Sequence, residues 1–192
     1  MTIDAGVLTL ADGSFKGITG KQAWRFSTKA KAPRAGADRI TVSADGNGDF
    51  NTVQGAVDFV PDHGKQRITI VVRRGVYQEI VYFRNKDNLT FLGDGRDQTV
   101  VRYANNEVFN PHPLNIRTNE LSGTFPSRQA AFDVDNSNDI HLINLTLETT
   151  APGQSEGVLV NGRRNILQNV RVIGFGDALQ VCTQGSQSCS VS

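Results

Sequence analysis

The chain carries no strong charge of either sign. Lys and Arg number 20 and Asp and Glu 19 in 192 residues, a formal net of +1. That balance gives no electrostatic case for nucleic acid or for an acidic membrane as partner. Long hydrophobic runs are missing as well, and no apolar stretch approaches the ~20 residues of a membrane-spanning helix. Met1 leads into polar Thr2-Ile3-Asp4-Ala5, without a basic segment followed by an apolar one. No secretory leader is visible, so the sequence reads as cytosolic or as a piece of something longer. Cysteine is scarce. Cys182 and Cys189 lie in the last eleven residues, where they could pair in a tail loop but say little about redox compartment. His63, His112 and His141 stand isolated, with no spacing suited to a metal, and no metal or other cofactor is expected.

What is present suits a folded chain of short strands. Hydrophobic residues make up 38% and charged residues 20%, and glycine is abundant at 19. Val, Ile and Thr are frequent, the composition of strands joined by many turns. The length allows one good-sized core, or one domain plus a fragment.

Residues 1–29 read apart from the rest. Gly6-Val7-Leu8-Thr9-Leu10 and Ala23-Trp24-Arg25-Phe26-Ser27-Thr28 are strand-like, with a turn signal at Ala11-Asp12-Gly13-Ser14. Gly13, Phe15, Gly17, Ile18, Trp24, Phe26 and Thr28 resemble the closing strands of a bacterial Ig-like sandwich domain. The alternative is an N-terminal hairpin packed on the main domain. Residues 30–37, from Ala30 to Ala37, read as a linker.

From Asp38 the pattern changes. Ile40 to Ser43 alternate as a strand, and Val53, Ala56, Val57 and Val60 mark one face of a short helix. Thr52 or Asn51 can cap that helix, and Pro61 follows its end. Strand-like runs follow at 68–72, 75–77, 80–83, 88–93 and 99–101. A polar stretch at 104–129 interrupts them as a functional loop or an excursion from the scaffold. Strands resume at 130–134, 140–147, 157–160 and 166–173.

Asn144-Leu145-Thr146-Leu147 and Asn169-Val170-Arg171-Val172 lie 25 positions apart, and Phe91-Leu92 precedes Leu142-Ile143 by 51, close to two such steps. That period predicts an all-β, parallel β-helix, with Asn144 and Asn169 stacked at a shared corner. A β-sandwich gives similar spacing, but a set of two-residue hairpin turns is not seen. Asn88-Leu89-Thr90 and Asn144-Leu145-Thr146 match the glycosylation pattern but are expected inside strands, where packing explains them.

Residues 38–181 resemble the pectin methylesterases, the pectinesterase family of carbohydrate esterases. Three segments in order carry the resemblance: Asp45-Gly46-Asn47-Gly48-Asp49-Phe50-Asn51-Thr52-Val53-Gln54-Gly55-Ala56-Val57, then Gly75-Val76-Tyr77-Gln78-Glu79, then Leu92-Gly93-Asp94-Gly95-Arg96. The resemblance implies a right-handed parallel β-helix of the pectin lyase-like kind with a short N-terminal capping helix. It also implies an extracellular or cell-surface protein that acts on pectin or a homogalacturonan-type polysaccharide.

It further implies a metal-free site of two aspartates, two glutamines and an arginine. One Asp attacks the methyl ester carbonyl; a second, initially protonated, gives its proton to the leaving methanol and later takes one from water. Glutamine amides stabilise the oxyanion and the arginine orients the nucleophile. In Gly174-Phe175-Gly176-Asp177-Ala178-Leu179, Asp177 matches the acid/base, although a turn aspartate is the plainer reading of Gly-Asp. Gly176 stands where the family has an oxyanion glutamine, a loss that typically costs ~100-fold or more in rate. Counting back without gaps places Gln154 at the other glutamine, with Glu156 in a competing register. Gln154 and Phe175 are the expected substrate-binding residues, although buried ladder positions are the commoner use of aromatics such as Tyr77, Tyr82 and Phe175.

The family's nucleophile and arginine come after the acid/base. This chain ends 15 residues past Asp177 and has no Asp, Glu or Arg there, and residues 182–192 read as an irregular tail. The expectation is therefore a β-helix incomplete at its C-terminal end and inactive as this chain, since one carboxylate cannot run the covalent mechanism. Two other readings stay open: a non-catalytic polysaccharide-binding or cell-surface β-helix module, and an esterase for another ester completed by residues beyond Ser192. A β-helix ended abruptly would also present an edge that invites self-association, unless the tail caps it.

Overall fold

The computed structural model describes residues 3, 7–8, 12–13, 17–18, 32–106, 108, 130–182 and 189–191, the last three by their backbone. The chain divides into two compact units, Met1–Ala32 and Pro33–Ser192. In the first, Ile3 and Ile18 form an antiparallel bridge with N–H···O distances of 3.0 and 2.7 Å. Phe15, Trp24, Phe26 and Thr28, which carry the Ig-like resemblance, lie outside the described residues.

The second unit opens with strand β1 (Arg39–Val42) and helix α1 (Val53–Phe59). Four coils of three short strands follow. The first is β2 (Ile68–Val72), β3 (Gly75–Gln78) and β4 (Val81–Arg84); the second is β5 (Leu89–Gly93), β6 (Thr99–Tyr103) and β7 (Phe132–Asp135). The third is β8 (His141–Ile143), β9 (Thr146–Thr149) and β10 (Val158–Asn161); the fourth is β11 (Ile166–Gln168), β12 (Arg171–Ile173) and β13 (Leu179–Cys182). Like strands stack into three sheets, ordered β1-β2-β5-β8-β11, β3-β6-β9-β12 and β4-β7-β10-β13. Within these, every pairing is parallel, as in a β-helix.

Strand alternation puts every second side chain inside the coils. Ile40, Ile70, Phe91, Leu142 and Leu167 form one inward row, and Val81, Phe132, Val158 and Leu179 another. Phe83 stacks on Phe91 at 5.6 Å, and both present edges to Phe132 at 6.0 and 5.3 Å. Such aromatic pairs add to the area they bury.

Helix α1 closes one end of this core with Val53, Ala56 and Val57. The Thr52 hydroxyl accepts from Gly55 N at 3.1 Å, while the Glu79 carboxylate accepts from Val53 N and Gln54 N at 2.8 and 2.9 Å. Three of the helix's otherwise orphaned donors are thus satisfied. Gln54 does a second job. Its amide donates to Tyr82 O at 2.9 Å and accepts from Tyr82 N at 2.8 Å, so it imitates a neighbouring strand along the edge of β4. Two of the three sequence segments that carry the family resemblance therefore interlock at this end.

Two expectations about the repeat need correction. Residues 140–147 and 166–173 each read as one strand, but each is two, broken at Asn144 and Asn169 with φ of 58° and 52°. Asparagine tolerates this left-handed conformation better than most residues. The two amides stack as expected, Asn169 Nδ2 donating to Asn144 Oδ1 at 2.8 Å. Asn88 (φ 57°) also sits at a corner, so neither glycosylation-like asparagine is inside a strand. Second, the 51-residue offset is one coil and not two, because Phe91 pairs directly with Leu142. Residues 104–131 separate β6 from β7 and lengthen the second coil; of the stretch 104–129 expected as a functional loop or an excursion, residues 107 and 109–129 lie outside the described residues. The tail differs too: β14 (Cys189–Val191) pairs antiparallel with β13, using backbone groups that the third sheet's edge leaves free. Cys182 stands in a disulfide, in a chain with two cysteines.

Candidate functional site

The turn before β13 presents the candidate acid. A Cβ on Gly174 would lie 2.1 Å from the Asp177 carbonyl oxygen, so only glycine fits at its start. The turn is held from the coil before it. Phe175 N and Gly176 N both donate to the Ser155 carbonyl, at 3.1 and 3.2 Å. Ser155 is fully buried, and its hydroxyl donates to Ala151 O at 2.8 Å. Residues 151–155, the turn before β10, therefore grip residues 174–177 through backbone bonds that repeat the coil spacing.

Gln154 stands exposed on that turn, and its Nε2 donates to Asp177 Oδ2 at 3.3 Å. Phe175 is 58% exposed beside them. Glu156, the competing residue, is fully buried. Of the residues singled out from sequence, Gln154, Phe175 and Asp177 thus gather on one exposed rim. A carboxylate there can exchange a proton, and an amide there can donate to a carboxylate or to an ester oxygen. Ser155 and Gly174, which hold the arrangement, were not singled out in sequence, where the turn signal fell on Gly176-Asp177.

On the outward side of the third sheet Asp133, Asp135, Leu159 and Cys182 are at most 4% exposed, while Tyr82, Arg84 and Gln180 are half-buried. Asp135 accepts from Asn161 Nδ2 at 2.8 Å and lies 3.4 Å from both Tyr82 Oη and Arg84 Nε. It sits at the C-terminal end of β7, whereas Asp177 precedes the N-terminal end of β13, so the two carboxylates do not form a catalytic pair.

Other polar groups tie the corners between coils. Asp87 accepts from Asn138 N and Nδ2 at 2.9 and 3.0 Å and meets His63 Nδ1 at 3.1 Å. Burial pushes the Asp87 carboxyl up, but those bonds outweigh it and hold the group below its ordinary value. Arg164 grips Asp139 with two bonds at 2.8 and 2.6 Å, which lowers the Asp139 carboxyl. His141 is half-buried, and burial followed by the nearby Arg67 charge lowers its pKa. A cavity of about 270 Å³ lies beside α1, lined by Ala35, Ile40, Phe59, Val60, Pro61 and Ile68. It is apolar and far along the coil stack from Asp177, so it has no part in this chemistry.

The sequence profile of the pectinesterase family matches residues 39–191. Among known proteins, probable pectinesterase/pectinesterase inhibitor 42 of Arabidopsis thaliana is 32% identical over 141 residues, covering 73% of this chain and 25% of that protein. The chain thus spans about a quarter of the length of the curated relatives it matches. Among solved structures, the pectin methylesterase from carrot superposes with a TM-score of 0.61 at 26% identity, over 78% of this chain and 43% of that one. A pectin methylesterase in complex with a hexasaccharide gives a TM-score of 0.53 at 20% identity, over 74% of this chain and 45% of that one, a likeness of fold.

Proposed function

This chain belongs to the pectinesterase family, and on that premise we propose that it forms part of a carbohydrate esterase that hydrolyses the methyl esters of pectin. Asp177 is the acid/base in this reading, Gln154 donates to the substrate, and Phe175 offers a face to a sugar ring. The single observation that carries it is the approach of Gln154 to Asp177 on an exposed rim. In the reaction, a second carboxylate attacks the ester carbonyl, methanol leaves with the proton from Asp177, and water then frees the carboxylate as Asp177 takes a proton back. This chain has no Asp, Glu or Arg after Asp177, so the 192-residue chain alone performs no turnover.

The polysaccharide partner is supported by the relative solved with a hexasaccharide, and an extracellular site of action by the family's substrate. Calorimetric titration of methyl-esterified hexagalacturonate tests the reading: binding weakened by Gln154→Ala and by Asp177→Ala supports it. No binding, or binding indifferent to both, overturns it. Methanol release by the purified chain, lost in Asp177→Ala, would overturn the inactivity.

Gly176 favours a second reading, a polysaccharide-binding β-helix without catalysis, because it brings no side-chain donor to Asp177. A longer form of the protein that binds pectin but releases no methanol would decide for it. The fourth coil also supports self-association of the chain. Ile166, Ile173, Phe175 and Val181 are 36–58% exposed there, and Leu167, Val170, Val172 and Leu179 are only partly buried.

A further inference from the structure

The turn that bears Gln154 is fastened from below. Pro152 O accepts from Asn106 Nδ2 at 2.9 Å, and Asn106 is 8% exposed. Asn106 Oδ1 in turn accepts from Val108 N at 3.0 Å, which fixes the orientation of the amide. Its neighbour Asn105 donates to Ala130 O at 2.7 Å and accepts from the Thr149 hydroxyl at 2.7 Å. The second coil thus holds the third coil's turn at two points, the Asn105 backbone carbonyl at Thr149 and the Asn106 side chain at Pro152. That turn's Ser155 carbonyl then holds residues 175 and 176 of the fourth coil. Gly153, between Pro152 and Ser155, has φ of 111°, a conformation that favours glycine, and a Cβ on it would lie 3.6 Å from Asn106 Nδ2.

We propose that Asn106 is a positioning residue for the Gln154–Asp177 pair, acting through the Pro152 carbonyl. Gln154 is exposed and its bond to Asp177 is long, so little but the turn fixes where its amide points. Removing the Asn106 donor takes away the side-chain bond that ties the exposed Pro152 to the second coil, and the turn is then free to shift. The inference rests on the reading of Gln154 and Asp177 as a polysaccharide site, and it names a group that touches no substrate.

Asn106→Asp keeps the shape and removes the donor. Asn136→Asp serves as control, because it breaks another inter-coil amide contact, with Asn85 at 2.6 Å, at a different corner. The first readout needs no ligand. In a 15N–1H spectrum of the 192-residue chain, the Gln154 side-chain amide signals are expected to shift or broaden in Asn106→Asp and to stay in Asn136→Asp. Unchanged Gln154 signals in a folded Asn106→Asp, or equal changes in both variants, overturn the proposal. The second readout is hexagalacturonate affinity, expected to fall about tenfold in Asn106→Asp, with no further loss when Gln154→Ala is added. Additive losses also overturn it. If Gln154→Ala itself leaves affinity unchanged, the polysaccharide reading falls while the spectral result still decides the role of Asn106. Should Asn106→Asp not fold, Asn106→Ser and Gly153→Ala are read against the same Gln154 signals, with the same outcomes.

Discussion

Gly176 lies directly under Gln154. A Cβ on residue 176 would come within 3.1 Å of the Gln154 Cα, Cδ and Oε1. The glycine that removes one donor from the rim is therefore also what lets the remaining amide reach Asp177.

Gly176→Gln should displace Gln154 without unfolding the chain, because the crowded atoms are mostly the mobile end of an exposed side chain. A spectrum showing the Gln154 amide in a new environment, with the melting temperature within a few degrees of wild type, is the expected result.

Gly174→Ala should be far worse. Its Cβ would sit 2.1 Å from a backbone carbonyl that is itself part of the turn. A loss of about 2 kcal/mol or more in urea unfolding is expected, the cost of overpacking that nothing flexible can relieve.

Glu79→Ala should loosen α1. Two backbone donors, Val53 N and Gln54 N, lose their acceptor. The expected cost is about 2 kcal/mol in chemical unfolding, with the largest gain in amide exchange at residues 53–57. The first segment of resemblance runs through α1, and this variant tests whether it is kept for stability.

At the corner, Asn144→Gly should be tolerated better than Asn144→Val by about 1–2 kcal/mol. Both lose the amide that meets Asn169, but only valine is strained at φ 58°. Thermal melting of the two variants distinguishes backbone strain from loss of the ladder.

The Asp87 corner should respond to acid. Its carboxyl is held below the ordinary value of 3.8 in the folded chain. The stability it contributes is therefore present above that value and is lost as pH falls through the folded value. Unfolding of wild type and Asp87→Asn measured from pH 7 to pH 2 should show a wild-type advantage that shrinks below about pH 4, with the shrinkage absent from the variant alone.

The parts of this fold that follow from local rules could be read in the sequence. The i, i+3, i+4, i+7 spacing of Val53, Ala56, Val57 and Val60 marks α1, and the 25-residue step from Asn144 to Asn169 marks one coil on the next. The buried leucines Leu142, Leu145 and Leu147 step by three and then by two, so the alternation slips at Asn144, a mark of the corner that the apolar run as a whole concealed. The second coil disguised its period because 28 residues separate β6 from β7. The partners of Gln154 and Asp177 were hidden for a different reason. Asn106 meets Pro152 across 46 positions and Ser155 meets Phe175 across 20. Such pairs exist only once coils are stacked, and asparagine or serine in a polar stretch carries no mark of it.

The two ends of the coil stack are unequal. Leu142, Leu145, Leu147 and Val158 are at most 1% exposed, while their successors Leu167, Val170, Val172 and Leu179, one layer on, stay partly wetted. A solenoid's stability is a sum of layers and of the contacts between neighbours. Melting should thus advance like a zipper from the fourth coil toward α1. The rim that gathers Gln154, Phe175 and Asp177 sits in the layers that loosen first, and its geometry is lost at temperatures where the rest of the stack still stands.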